Sequence, residues 1–176
     1  MAHQHETTAP RDGSVVADLA AGALAGLIGV WALDRVDWFL YDRESPETRA
    51  RTQAVRPGGL DPAHVIADAA AKAMGIHLDI DPPQPHPAGL AVHYSIGVAP
   101  AALYGVLQER LPAVATGRGA LFGLSLFLAQ DEALNSLTGL AARPEDYPWQ
   151  DHARGLVAHV AFGIVTDAVL RALRGR

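Results

Sequence analysis

Val15 to Leu33 reads VVADLAAGALAGLIGVWAL. It holds one charge, Asp18, and three glycines, Gly22, Gly26 and Gly29. A water-facing helix carries a polar stripe opposite its apolar one, and a glycine in an exposed helix costs about 1 kcal/mol relative to alanine. This run has too few polar side chains for the stripe and too many glycines for a solvated helix. A bilayer resolves both problems. About 20 mainly apolar residues cross its core, and Gly22-x-x-x-Gly26 lets another helix approach closely. The stretch therefore predicts a transmembrane helix over about 14–40, with Gly22, Gly26 and Gly29 as a packing face. Trp31, Trp38 and Tyr41 suit an interfacial aromatic belt. A cleaved signal peptide does not fit, because the preceding MAHQHETTAPRDG is not basic and the apolar run exceeds an h-region of about 7–15 residues.

The same avoidance of charge recurs along the 176 residues, which contain 14 Lys and Arg and 19 Asp and Glu. Ala88 to Leu107 has no charge, Gly119 to Ala141 has only Asp131 and Glu132, and Gly155 to Leu173 has only Asp167 and Arg171. The predicted fold is an all-α bundle of four transmembrane helices, at about 14–40, 88–111, 117–141 and 151–174. Pro100 predicts a kink in the second. Residues 1–13 read as a flexible polar tail, and 14–176 as a single membrane domain. The connection 41–87 is too long for plain loop. Asp61 as N-cap, Pro62 at the first helical position and Gly75 after the end predict an amphipathic helix over about 62–74. Its apolar side comprises Val65, Ile66, Ala69, Ala70 and Ala73, placing it on the membrane surface or over the end of the bundle.

A net charge of −5 excludes a globally basic nucleic-acid binder. The absence of cysteine excludes disulfides, thiol nucleophiles and thiolate metal sites. There is no Gly-rich phosphate loop, His-Glu-x-x-His or Gly-x-Ser-x-Gly. The expectation is a protein without catalytic residues. Arginines and lysines are nearly balanced across the two faces, so the positive-inside rule decides little. Discounting the long connection places both termini in the cytoplasm.

A set of residues in the C-terminal half carries a family resemblance. It comprises His93, Tyr104, Glu109 and Pro112, then Gly119 and Gly123, then Leu137, Gly139 and Leu140, and finally Asp146-x-Pro148-Trp149, His159 and Asp167. In order and spacing the chain resembles the YagU-like family of bacterial inner-membrane proteins, a family of unknown function. The resemblance covers somewhat more than half the chain and implies a four-helix inner-membrane protein with no established reaction. Asp131-Glu132 departs from the family pattern.

Ionisable groups within a bilayer are costly and mark functional candidates. At about 1.5 Å of rise per residue, Asp34, His93, Asn135 and His159 fall about 8–10 Å below the face bearing the long connection. Asp131 and Glu132 fall about 13–15 Å below it by the same rise. Each predicted span thus contributes to one polar layer. Three chemistries fit it: a proton relay through the histidines and carboxylates, a divalent metal held by His93, His159 and Glu132, or a haem between His93 and His159. A purely structural hydrogen-bonded network fits as well. The functional expectation is a small membrane protein whose His/carboxylate layer handles protons or a divalent metal ion. The alternative is an accessory or scaffold subunit of a larger membrane complex, or of a homo-oligomer, packing through the glycine face of its first helix.

Overall fold

Side-chain caps fix where most of the helices begin. In the computed structural model, which describes residues 14–82 and 85–176, Ser14 Oγ accepts the Ala17 N–H at 3.1 Å and opens α1 (Val15–Tyr41). The expected tail, 1–13, lies outside the described residues. Ser45 opens α2 (Pro46–Val55), Asp61 opens α3 (Pro62–Ala73) and His86 opens α4 (Pro87–Arg110), each with proline at the first helical position. Proline is pre-set for that position and lacks only an N–H that would have no helical partner. α4 continues through Pro100. The last long helix, α7 (Trp149–Leu173), follows Pro148. The described residues contain no strand.

Three of these helices, α1, α4 and α7, are long and apolar enough to cross a membrane. Much of their apolar surface faces outward, including Leu24, Leu27, Ile28, Leu103 and Ile164. The region of the expected fourth span, 117–141, is built differently. α5 (Ala120–Leu126) runs directly into a π-helical stretch (Phe127–Leu134) and then α6 (Asn135–Leu137). The Asn135 N–H reaches back five residues, to the carbonyl of Gln130. The helical run is shorter at both ends than the expected span and holds Asp131 and Glu132 within the wide turn. Before it, Gly117, Arg118 and Gly119 all have positive φ, and this turn reverses the chain after α4.

α1 packs against α4 and α7, α5 packs against α7, and α3 packs against α4. Small residues make these approaches possible. A Cβ on Gly22 would lie 2.6 Å from the Ala101 carbonyl oxygen, and one on Gly26 would lie 2.5 Å from Ala101 Cβ. Gly29 is covered by Thr166 and Phe162 of α7. Gly119 and Gly123 lie against the backbone of Gly163 and His159. Between the helices, Tyr104 stacks on Phe122 with ring centroids 4.3 Å apart, and Val30, Ala101, Phe162 and Leu170 are fully buried.

α3 caps the bundle, but with a different face from the one expected. Ala63, His64, Ala67 and Ala71 are buried, whereas Ala69, Ala70 and Ala73 are exposed. The reason is His64. Its Nε2 accepts the His86 N–H at 2.9 Å, so Nδ1 carries the proton and donates to Asp61 Oδ2 at 2.7 Å. The ring sits against Gly89, where any Cβ would overlap it. A polar side chain bonded at both nitrogens can be buried without the cost of an unpaired group. It therefore turns its own face of α3 inward and clips α3 to the start of α4. Burial pushes the Asp61 carboxyl up, but the hydrogen bonds from His64 and the neighbouring Arg56 charge outweigh it and hold Asp61 below its ordinary value.

Candidate functional site: a His/carboxylate cavity at one end of the bundle

The end of α1, the starts of α3, α4 and α7, and the π-helical stretch surround a cavity of about 530 Å³. Asp34, His93, Asp131, Glu132, Asn135 and His159 all line it. These six come from four separate parts of the chain, and the cavity brings them together.

Their pairing is specific. His93 Nε2 lies 2.9 Å from Asp34 Oδ1, which joins α4 to α1. His159 Nδ1 donates to the Gly155 carbonyl at 2.9 Å and lies 3.6 Å from Asp131 Oδ2. Asn135 Nδ2 donates to Asp131 Oδ1 at 3.5 Å. Glu132 turns towards neither His93 nor His159. Its Oε1 lies 2.6 Å from Nδ1 of His152, whose Nε2 donates to the Pro144 carbonyl at 3.0 Å.

The last pair has a definite proton inventory. A carbonyl oxygen only accepts, so His152 Nε2 carries a hydrogen. The short Nδ1–Oε1 contact needs a second hydrogen, on the imidazole or on the carboxyl group. His152 and Glu132 therefore hold one dissociable proton between them, as imidazolium and carboxylate or as imidazole and carboxylic acid.

A second unit beside the cavity is anchored by Arg154, which is 6 % exposed. Its Nε donates to Asp37 Oδ1 at 2.9 Å, and its two terminal nitrogens donate to Glu44 and Asp151. Arg56 lies 4.0 Å from Asp151. One guanidinium thus ties α1, the turn after it and α7 together, and lies over the Tyr41 ring. A buried arginine requires such carboxylate partners, because an uncompensated buried charge costs several kcal/mol.

The sequence reading missed His152, Arg154, Asp37, Glu44 and Asp151. Asp37, Asp151, His152 and Arg154 lie at the edges of the predicted spans and Glu44 in the connection, all outside the charge-poor runs. Their signal is positional: Arg154 directly precedes the uncharged run that starts at Gly155, and His152 sits one turn after Trp149.

The expected metal set does not converge. His93 pairs with Asp34, His159 with Asp131 and Glu132 with His152. Among the described residues, no three His, Asp or Glu side chains come together at metal-binding spacing. Gly22, Gly26 and Gly29 are covered by α4 and α7 of the same chain, so a partner helix on that face would have to displace them.

The opposite end carries a second polar network. Asp167 is 1 % exposed, and its Oδ1 accepts Tyr104 Oη at 2.7 Å and Gln108 Nε2 at 2.6 Å. Its Oδ2 lies 2.9 Å from Arg171 Nε. Arg174 binds Asp18, Gln108 and the Gly105 carbonyl. Asp167 thus pairs with Arg171 one turn on in α7 and also binds two residues of α4.

The profile of a family described as "Protein of unknown function (DUF1440)" matches residues 81–168. This is half of the chain, and the chain belongs to that family. The matched range includes His93, Asp131, Glu132, His152 and His159, but not Asp34. No curated protein and no solved structure matches the chain.

Proposed function

We propose that this member of the DUF1440 family is a membrane protein that holds and passes protons through its His/carboxylate cavity. The run 120–137 completes a four-helix transmembrane bundle with α1, α4 and α7, and α3 lies at the interface with its exposed alanines, Met74 and Ile76 towards lipid headgroups. The membrane is the bacterial inner membrane. The end that carries the C-terminus is placed in the cytoplasm by discounting the basic residues of the long connection 41–87 on the opposite face.

One observation carries the functional reading. His152 has oxygen acceptors at both ring nitrogens, so the His152–Glu132 pair stores a proton at the edge of a cavity. Imidazole changes charge near neutral pH and passes a proton between its two nitrogens. His93–Asp34 and His159–Asp131 line the same cavity and supply further stations. Three separate pairs suit protons better than a single divalent ion, which needs converging donors.

The test is proton uptake by vesicles containing a pH-sensitive dye, driven by an imposed potassium diffusion potential. The wild-type protein is expected to acidify the lumen faster than protein-free vesicles do. His152→Gln and Glu132→Gln should return the rate to that of empty vesicles while the proteins elute normally in detergent. Wild-type protein indistinguishable from empty vesicles would overturn the reading.

A further inference from the structure

We propose that the cavity binds an organic cation and releases a proton when it does so. This rests on the proton-holding reading of the same pairs and adds a ligand to it. The groups facing the cavity are Asp34 and Asp37 from α1, Asp61 and His64 from α3, and His93 from α4. Asp131 and Glu132 face it from the π-helical stretch, and Asp151, His152 and His159 from α7. The cations are Arg35, Arg56 and Arg154. Carboxylates therefore exceed arginines, and the arginines are unevenly used. Arg154 and Arg56 serve Asp37 and Asp151, while Arg35 is exposed and makes no ion pair among the described residues.

Asp34, Asp131 and Glu132 are left with histidines as their charged partners. Each pair is neutral when its imidazole is protonated and carries −1 when that proton leaves. The cavity thus becomes anionic by losing protons, and a cation entering it replaces the lost charge. One positive charge enters for each proton that departs, so the exchange is electrically balanced.

The lining also selects the kind of cation. Trp38, Tyr94 and Phe127 are among the residues that line the cavity, and an aromatic face attracts a cation within about 6 Å of its centroid. Tyr41 already holds the guanidinium carbons of Arg154 and Arg49 at 5.3 and 5.4 Å from its ring centre. A volume of about 530 Å³ lies within the range of small-molecule pockets. It far exceeds a bare metal ion, for which no three donors converge among the described residues. Space, aromatic faces and titratable anions together fit a bulky monovalent organic cation such as a substituted ammonium.

The experiment is calorimetric titration of the purified full-length protein in neutral detergent with tetraphenylphosphonium, at pH 8 and pH 5.5. The isosteric anion tetraphenylborate serves as the charge control. Saturable binding of the cation is expected at pH 8, with at least tenfold weaker affinity at pH 5.5 and proton release visible in a lightly buffered sample. Glu132→Gln and Asp131→Asn should each weaken binding at least tenfold, and Asp18→Asn at the far end should leave it unchanged. Absence of saturable binding at pH 8, equal affinity at the two pH values, or equal affinity for the anion would each overturn the proposal. The wild-type pH comparison decides the matter even if a variant fails to fold. Loss of cation binding with vesicle proton uptake intact removes this inference alone. Cation binding with proton release but no uptake removes only the proton-passing reading.

Discussion

The two ends of the bundle use the same kinds of side chain to opposite effect. At the end where α1 begins, Asp18 and Asp167 are met by Arg174 and Arg171, with Tyr104 and Gln108 filling the remaining acceptor positions on Asp167. A guanidinium does not release its proton in a protein, so this network is fixed in charge. At the end where α1 finishes, Asp34, Asp131 and Glu132 meet imidazoles around an open cavity. The partner decides the role of a buried carboxylate. Arginine makes a clasp, and histidine makes a site whose charge changes. Arg154 marks the boundary, a clasp placed beside the exchangeable pairs.

The sharpest way to break this comparison is to remove the boundary clasp. Arg154→Met leaves Asp37, Glu44 and Asp151 without their shared cation. Removing one partner of a buried ion pair costs about 3–5 kcal/mol. Thermal unfolding in detergent should show the variant as the least stable single substitution in the protein. Stability equal to the wild type would mean that the guanidinium does not hold the cavity end together.

A smaller loss separates the ends by function. Asp167→Asn removes the charge facing Arg171 but keeps an acceptor for Tyr104 and Gln108, at a cost of about 1–3 kcal/mol. Unfolding should register that loss, and vesicle proton uptake at a temperature where the variant is folded should match the wild type. Abolished uptake would mean that the far network also carries protons, and the distinction between the ends would disappear.

The smallest effect lies in the cap over the cavity. Asp61→Ala removes the N-cap of α3 and one partner of His64, and should cost about 1 kcal/mol at neutral pH. The Asp61 carboxyl is held below its ordinary value of 3.8, so its contribution is present above that pH and is lost as pH falls through the lower folded-state value. Hydrogen exchange at the α3 amides should therefore differ between wild type and variant at pH 6, and the difference should shrink as pH falls below 3.8 and vanish below the lower folded-state value. A difference that persists in strong acid would assign the cap to something other than the carboxylate.

Much of this arrangement is legible in the sequence where it depends on local chemistry. Charge segregation marks α1, α4 and α7, and Asp61-Pro62 marks the start of α3. The same logic applies to Ser45-Pro46-Glu47, which opens α2 within the long connection. Helical rise alone puts Asp34, His93, Asn135 and His159 at one depth. It cannot say which carboxylate faces which imidazole, because that depends on how each helix is rotated about its axis. Glu132 pairs with His152, twenty residues away across a turn, and Arg154 reaches Glu44 over more than a hundred. Hydropathy also overlooks groups that flank an apolar run, where His152 and Arg154 lie.

The wide turn between Phe127 and Leu134 gives this protein one place where its helices can change length by a residue without changing register. A helix bonded at i to i+5 takes in one residue more than the ordinary i to i+4 path. A gene lacking one codon there, such as the codon for Ala129, would encode a chain able to continue as plain α-helix. Each residue of an α-helix advances about 100° around the axis, so a one-residue deletion in a plain helix turns everything beyond it by that angle, whereas here it removes the residue that the wide turn takes in and leaves Asn135 and the residues after it facing much as before. A one-residue difference in length is therefore absorbed in this short segment, while the same difference within α7 would turn His159 away from the cavity.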